Sequence, residues 1–239
     1  MSGAPGRLYG IGVGPGDPEL ITLKGLRLLR AAPVIAYPAP EQGDSFARSI
    51  AASWLEARQR EIPIRIPMRP AHPPRAVYDA AASALAVELD RGDDVALLCQ
   101  GDPFFYGSFV QLWMRLATRF RVEVIPGVCS LVACAAAAAT PLVTYDETLM
   151  VLPATLEETE LARRLAGADA AAIVKLGRHF AKVRRVLHAM GLLDNACYVE
   201  RASLPKQRAA PFTSINADSV PYFSMALIRR SRVQITDSV

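Results

Sequence analysis

The sequence predicts an α/β protein built from two α/β domains. Three observations carry that expectation. Short apolar runs rich in Val, Ile, Leu and Ala recur along the chain, amphipathic helical patterns separate them, and glycine- or proline-rich turns close the runs at one end. The 239 residues leave room for one large domain or two small ones. Hydrophobic residues make up 51% and charged residues 21%, which excludes a disordered chain and supplies a real core.

Taken in order, RLYGIGV (7–13) is a strand ending in a glycine loop. A helix follows, with Thr22 as its N-cap and Leu23, Leu26, Leu28 and Leu29 as its apolar residues. PVIAYP (33–38) is a short buried strand, and residues 45–55 form a helix. IPIRIPM (62–68) is extended, because its prolines remove donors and clash with helical backbone. Residues 75–89 are an alanine-rich helix, and Gly92-Asp93-Asp94 turns into the buried strand VALLC (95–99). GDPFFYGSF (101–109) leads into a helix reaching about Arg119. RVEVIP (121–126) is a strand, and GVCSLVACAAAAA (127–139) opens a helix of small residues. The first half therefore reads as a mostly parallel sheet.

After Pro141 the texture changes. LMVLPA (149–154), AAIVKLG (171–177), CYVERAS (197–203) and YFSMALIRR (222–230) are strands spaced by one or two helices, the pattern of a second domain with a mixed sheet. The boundary is expected between Ala117 and Pro141, giving domains 1–118 and 119–239.

The formal charge of +4 permits an anionic ligand without requiring nucleic acid. Cys99, Cys129, Cys134 and Cys197 form no CxxC pair and no Cys/His cluster of zinc spacing, so free thiols in a reducing cytosol and no metal site are expected. MSGAPGRLYGIG lacks the apolar core of a signal peptide. The weakly polar run 128–143 is broken by Ser130, Thr140 and Pro141. It falls short of the ~20 strongly apolar residues a membrane span needs. A cytoplasmic protein is the expectation.

The stretch YGIGVGPGDPEL (9–20) raises the question of chemistry. A dinucleotide fingerprint needs G-x-G-x-x-G opening directly into a helix. Here Pro15 stands at the third glycine, the cap waits until Thr22, and the strand VIAY ends in Pro38 rather than in an acid for a ribose hydroxyl. These features disfavour a nicotinamide oxidoreductase. Glycines also let main chain pack directly against a ligand. CQGDPFFYG (99–107) and IPGVCS (125–130) follow two further strands. Small-residue loops at the carboxyl ends of strands point to a shared pocket.

GIGVGPGDPELITLKGLRLL, QGDPFFYGSF, VIPGVCS, VKLGRH, VERAS and PYFSMALI together resemble the tetrapyrrole (corrin/porphyrin) methylase family, over nearly the whole chain. FFYGSF, KLGRH and PYFSM resemble the branch that methylates precorrin-2 in cobalamin biosynthesis. The resemblance implies a class III methyltransferase fold, with S-adenosylmethionine in the cleft between two α/β domains and S-adenosylhomocysteine as product. It also implies a homodimer with a small-molecule tetrapyrrole substrate and no nucleic acid or membrane partner.

Carried over by motif, Pro15, Gln100, Gly101, Asp102, Cys129, Ser130, Leu176 and Ala202 would line the cofactor. Gln100 stands where relatives often carry Glu or Gly, so the contact expected there is one of backbone. Asp102 before Pro103 equally suits a helix cap. Phe104, Phe105 and Tyr106 suit a core or an interface rather than stacking on a substrate. Precorrin-2 carries many carboxylates, and Arg69, Arg178, His179 and Arg201, with Lys206 and Arg208, are candidates to bind them, each also suiting a solvated surface. No general base stands out, and Asp102, Tyr106 and Glu200 are the candidates. The electron-rich meso carbon of the substrate would itself be the nucleophile, leaving proximity and alignment as the protein's main contribution. A family member acting on RNA would carry a denser Lys/Arg face than this chain does.

Overall fold

The computed structural model describes residues 4–67 and 75–230. The chain divides into two compact units, Met1–Cys129 and Ser130–Val239.

The first unit runs β1 (Leu8–Gly12), α1 (Leu23–Ala31), β2 (Val34–Pro40), α2 (Phe46–Ala51), β3 (Arg60–Ile66), α3 (Arg75–Asp90), β4 (Val95–Cys99), α4 (Phe109–Leu116) and β5 (Val122–Ile125). Its sheet has the order β3-β2-β4-β1-β5 and is parallel throughout. β1 and β4 are buried along their whole length, which is why they read as unbroken apolar runs. Alternation sends Leu97 into one core with Leu8, Leu85 and Phe109, and Leu98 into the other with Ile11, Leu29 and Ile35. Thr22 caps α1, its hydroxyl accepting from the Gly25 N–H at 3.1 Å. Two helices are shorter than expected. α2 stops at Ala51 and continues as a 3-10 turn over Ala52–Trp54, and α4 ends at Leu116.

The division between the units falls at Cys129 rather than after residue 118. The reason is β5, which pairs with β1 from Leu8↔Val122 to Ile11↔Ile125 and so completes the first sheet.

The second unit comprises α5 (Ser130–Ala137), β6 (Leu149–Pro153), α6 (Glu158–Leu165), β7 (Ala170–Val174), α7 (Phe180–Ala189), β8 (Ala196–Glu200), β9 (Arg208–Pro211) and β10 (Ser224–Arg229). The order is β6-β7-β10-β8-β9. β6 and β7 are parallel, while β10 runs antiparallel between β7 and β8 and β9 is antiparallel to β8. β9 was not expected from sequence, since RAAP is too short and too exposed to show a period. The core gathers Leu161, Ile173, Phe180, Tyr198 and Phe212, with the Phe180 and Phe212 rings stacked at 4.5 Å. Arg229, at the end of β10, donates through Nη2 to both carboxylate oxygens of Glu147, at 2.7 and 2.6 Å, and through Nη1 to the Pro141 carbonyl at 3.0 Å. This ties the α5–β6 connector to the sheet. Among the described residues no helix is long and apolar enough to cross a membrane.

Candidate functional site

In the first unit β4, β1 and β5 are neighbours, so the loops after them meet at one edge of the sheet. The meeting is main chain against main chain. Gly101 N–H donates to the Gly14 carbonyl at 2.8 Å, and Val13 N–H to the Cys99 carbonyl at 2.9 Å. A Cβ on Gly12 would stand 2.6 Å from the Gly101 oxygen and from Gly127 Cα, and a Cβ on Gly127 would stand 2.7 Å from Gly12 Cα. Only glycine lets these three strand ends close to that distance.

Asp102 locks the junction. One carboxylate oxygen accepts from Phe104 N–H at 2.9 Å and the other from Gly127 N–H at 3.0 Å. The residue closes the turn after β4 and cross-links it to the loop after β5; the helix cap expected at Asp102 is not formed, since α4 starts at Phe109 with Ser108 as its N-cap. Pro15 and Gly101 are buried here, Cys129 is half-buried, and Gln100 is exposed. Burial, with the nearby Asp102 charge, pushes the Cys99 thiol well up, so this cysteine is an inert core residue. Glycines at 12 and 127 thus bring main chain directly onto main chain, and Gly14 and Gly101 take positive φ beside them, +82° and +66°.

Beside this junction a groove of about 640 Å³ runs between α3 and α4, lined by Arg75, Tyr78, Tyr106, Gln111, Met114 and Arg115 among others. Arg115 is fixed there. Its Nε donates to Asp79 at 2.6 Å and Nη1 to the Gln111 carbonyl at 2.7 Å, and its guanidinium lies 5.7 Å from the centre of the Tyr78 ring. Tyr106 is half-exposed at a φ of +55°, a strained conformation for a tyrosine. Phe104 meets Trp113 edge-on at 5.6 Å, and both keep exposed surface. Arg69 lies outside the described residues.

The remaining candidates lie in the second unit. Ser130 is exposed at the start of α5, and Leu176 and Ala202 are buried at the ends of β7 and β8. Arg178 Nε donates to His179 Nε2 at 3.4 Å. Burial, then the charges of Lys182 and Arg178, hold the His179 pKa below 6.5. Glu200 is buried, and its carboxylate accepts from the Tyr198 hydroxyl at 2.5 Å and from Arg201 Nη1 at 2.9 Å. Burial, followed by the Glu200 partner, pushes the Tyr198 hydroxyl pKa up and keeps it a donor.

Because β10 enters between β7 and β8 in the opposite direction, its start meets the carboxyl ends of both. The Ser224 hydroxyl accepts from Gly177 N–H at 3.2 Å and donates to the Pro221 carbonyl at 2.7 Å. Arg201 N–H donates to the Phe223 carbonyl at 2.8 Å. VKLGRH, VERAS and PYFSM therefore form a single junction. Ser224 was missed from sequence because it reads as a strand residue. The only signal was its place in a motif shared with KLGRH. Among the described residues no group of three or more His, Cys, Asp or Glu is placed to hold a metal ion.

Comparison with known proteins places this geometry in context. The sequence profile of the Tetrapyrrole (Corrin/Porphyrin) Methylases matches residues 7–215. The cobalamin biosynthesis protein CobIJ of Mycobacterium tuberculosis is 46% identical over 99% of this chain and 49% of its own length. The chain thus spans about half the length of these relatives. The precorrin-2 C(20)-methyltransferase of a Sinorhizobium species is 42% identical over 95% of this chain and 97% of its own. The cobalt-precorrin-2 C(20)-methyltransferase of Salmonella typhimurium is 31% identical over 94% and 97%. Among solved structures, the uroporphyrin-III C-methyl transferase of Thermus thermophilus, complexed with S-adenyl homocysteine, superimposes with a TM-score of 0.66 at 25% identity, covering 93% of this chain and 97% of its own. The cobalt precorrin-4 methyltransferase CbiF gives a TM-score of 0.75 at 24% identity over 93% and 94%, a likeness of fold. A profile match from residue 7 to residue 215, joined to end-to-end relatives at 42% and 31% identity, makes this chain a member of the tetrapyrrole methylases.

Proposed function

We propose that this chain is an S-adenosylmethionine-dependent C-methyltransferase that methylates the C20 meso carbon of precorrin-2, giving precorrin-3A in cobalamin biosynthesis. The observation that carries the reading is the glycine junction at the ends of β1, β4 and β5, closed by Asp102. It builds the three loops from glycine-rich main chain joined at the carboxyl ends of neighbouring strands, where open α/β sheets bind their ligands. The cofactor, when bound, supplies an electrophilic methyl group on its sulfonium.

The chain's own residues bind and align. Pro15, Gln100, Gly101 and Cys129 in the first unit, with Ser130, Leu176 and Ala202 in the second, are proposed to contact the cofactor, largely through main chain. Asp102 and Glu200 each have both carboxylate oxygens engaged by donors, which suits positioning better than proton transfer. Arg178, His179 and Arg201, together with Arg75 and Arg115 of the α3–α4 groove, are proposed to meet the substrate's carboxylates. The 42% identity to a precorrin-2 enzyme against 31% to a cobalt-precorrin-2 enzyme favours the metal-free substrate, with the cobalt form as the second reading.

A homodimer is part of the proposal. The exposed rings of Phe104 and Trp113 support a face that a second copy covers. The buried Cys99 thiol, outside any disulfide, supports a reducing, cytoplasmic setting.

The test is an anaerobic assay of the purified protein with S-adenosylmethionine and precorrin-2, read by mass spectrometry and NMR of the product. One methyl added at C20 is expected. Methylation at another carbon, or of cobalt-precorrin-2 alone, would contradict the substrate assignment.

A further inference from the structure

Non-glycine residues with positive φ crowd the two strand ends of the second unit: Lys175 at +57° after β7, and Arg201 at +51° and Ser203 at +64° after β8. Gly177 sits at +27° in the same turn as Lys175. Such conformations persist only where the surrounding structure over-determines them, and they gather at ligand clamps. Here the surrounding structure is one segment, Pro221 to Ser224, which reaches both ends. It holds the first through the Gly177 N–H bond to the Ser224 hydroxyl and the second through the Arg201 N–H bond to the Phe223 carbonyl. The strap lies against the turn at ordinary van der Waals distance, a Cβ on Gly177 standing 3.5 Å from Tyr222 Cα.

Ser224 is the side chain on which the strap turns. It is 7% exposed, it stands opposite Glu200 in the β10–β8 ladder, and its hydroxyl both gives and receives a hydrogen bond. No water can replace a buried donor–acceptor pair of this kind without room to enter.

We propose that Ser224 is a positioning residue of the methyltransferase, its hydroxyl setting the backbone of the Lys175–Gly177 turn in the conformation that meets the cofactor. The proposal rests on the reading that this turn contacts S-adenosylmethionine. The strap touches the reaction only through the turn it holds. Its loss therefore weakens cofactor binding and leaves the chemical step intact once the cofactor is bound.

The experiment compares wild type, Ser224→Ala, and the shape-matched pair Ser224→Thr and Ser224→Val. Each is titrated calorimetrically with S-adenosylhomocysteine, assayed for KM and kcat, and checked by thermal unfolding. Thr keeps the hydroxyl and Val removes it at nearly equal volume, so this pair remains decisive if alanine unfolds the protein. The expected result is binding weakened on the order of tenfold in Ser224→Ala and Ser224→Val, as for loss of one buried hydrogen-bond partner. KM for S-adenosylmethionine rises, kcat at saturation is retained, and Ser224→Thr restores wild-type affinity. Equal binding by Ser224→Val and Ser224→Thr overturns the proposal. So does a fall in kcat at unchanged KM, which would place the hydroxyl in the chemical step. Absence of binding by folded wild type overturns the methyltransferase reading itself, and this proposal with it.

Discussion

Single residues decide the junction in the first unit. Gly12 and Gly127 face each other across a gap that admits no Cβ. Gly12→Ala or Gly127→Ala is expected to cost about 1–3 kcal/mol as overpacking, measured by urea unfolding, and to weaken S-adenosylhomocysteine binding alongside. Asp102→Asn separates positioning from proton transfer. An amide offers one acceptor where two N–H groups need one each, so either Phe104 or Gly127 loses its partner. The expected loss is about 1–2 kcal/mol of stability, again by urea unfolding, with the pH profile of kcat unchanged. A kcat profile that loses its acidic limb would instead make Asp102 a base. His179 gives a pH effect of fixed sign. Its folded pKa lies below 6.5, so the unfolded chain takes up a proton first and stability falls as pH drops below that value. His179→Gln should flatten the dependence of melting temperature on pH over about pH 5 to 7, and an unchanged slope would contradict this. The glycines were legible in the sequence, but Asp102 closes a turn rather than capping a helix, because α4 starts only at Phe109 with Ser108 as its N-cap. The Gly127 partner of Asp102 was not legible, because it lies in a different loop, 25 residues on.

At the scale of elements, periodicity exposed what is buried and left unseen what is paired. β1, β4 and β7 announce themselves as unbroken apolar runs. Nothing in those runs says that β10 passes between β7 and β8, although that insertion is what joins PYFSM to KLGRH and VERAS. Within the expected range of Ala117 to Pro141 the division falls at Cys129 rather than after residue 118, since β5 shows its allegiance only by pairing with β1. The α5–β6 connector supplies a test at this scale. Arg229 has a side-chain exposure of 9% and Glu147 one of 21%. Glu147→Gln leaves the arginine charge under-compensated, and a loss on the order of 2–4 kcal/mol in urea unfolding is expected, near the value for breaking a largely buried pair. A loss below a few tenths would mean that water reaches the pair and screens it.

For the whole molecule, the overall class, two α/β units with the first sheet parallel, was readable from alternating runs and turns. The family was readable because its motifs are main-chain devices: glycines where backbones meet, and prolines and capping residues at strand ends. The identity of the tetrapyrrole was not readable in the same way. The arginines proposed to meet its carboxylates, Arg178 and Arg201 among them, have no spacing that marks them. The central claim is that the glycine junction serves S-adenosylmethionine. Its most direct test is calorimetric titration of the purified chain with S-adenosylhomocysteine, alongside Gly101→Arg, which puts a long side chain at a position of φ +66° in the middle of the junction. Saturable binding by wild type, lost in a folded Gly101→Arg variant, is the result expected. A folded wild-type protein that binds no S-adenosylhomocysteine, or a variant that binds as wild type does, would contradict it.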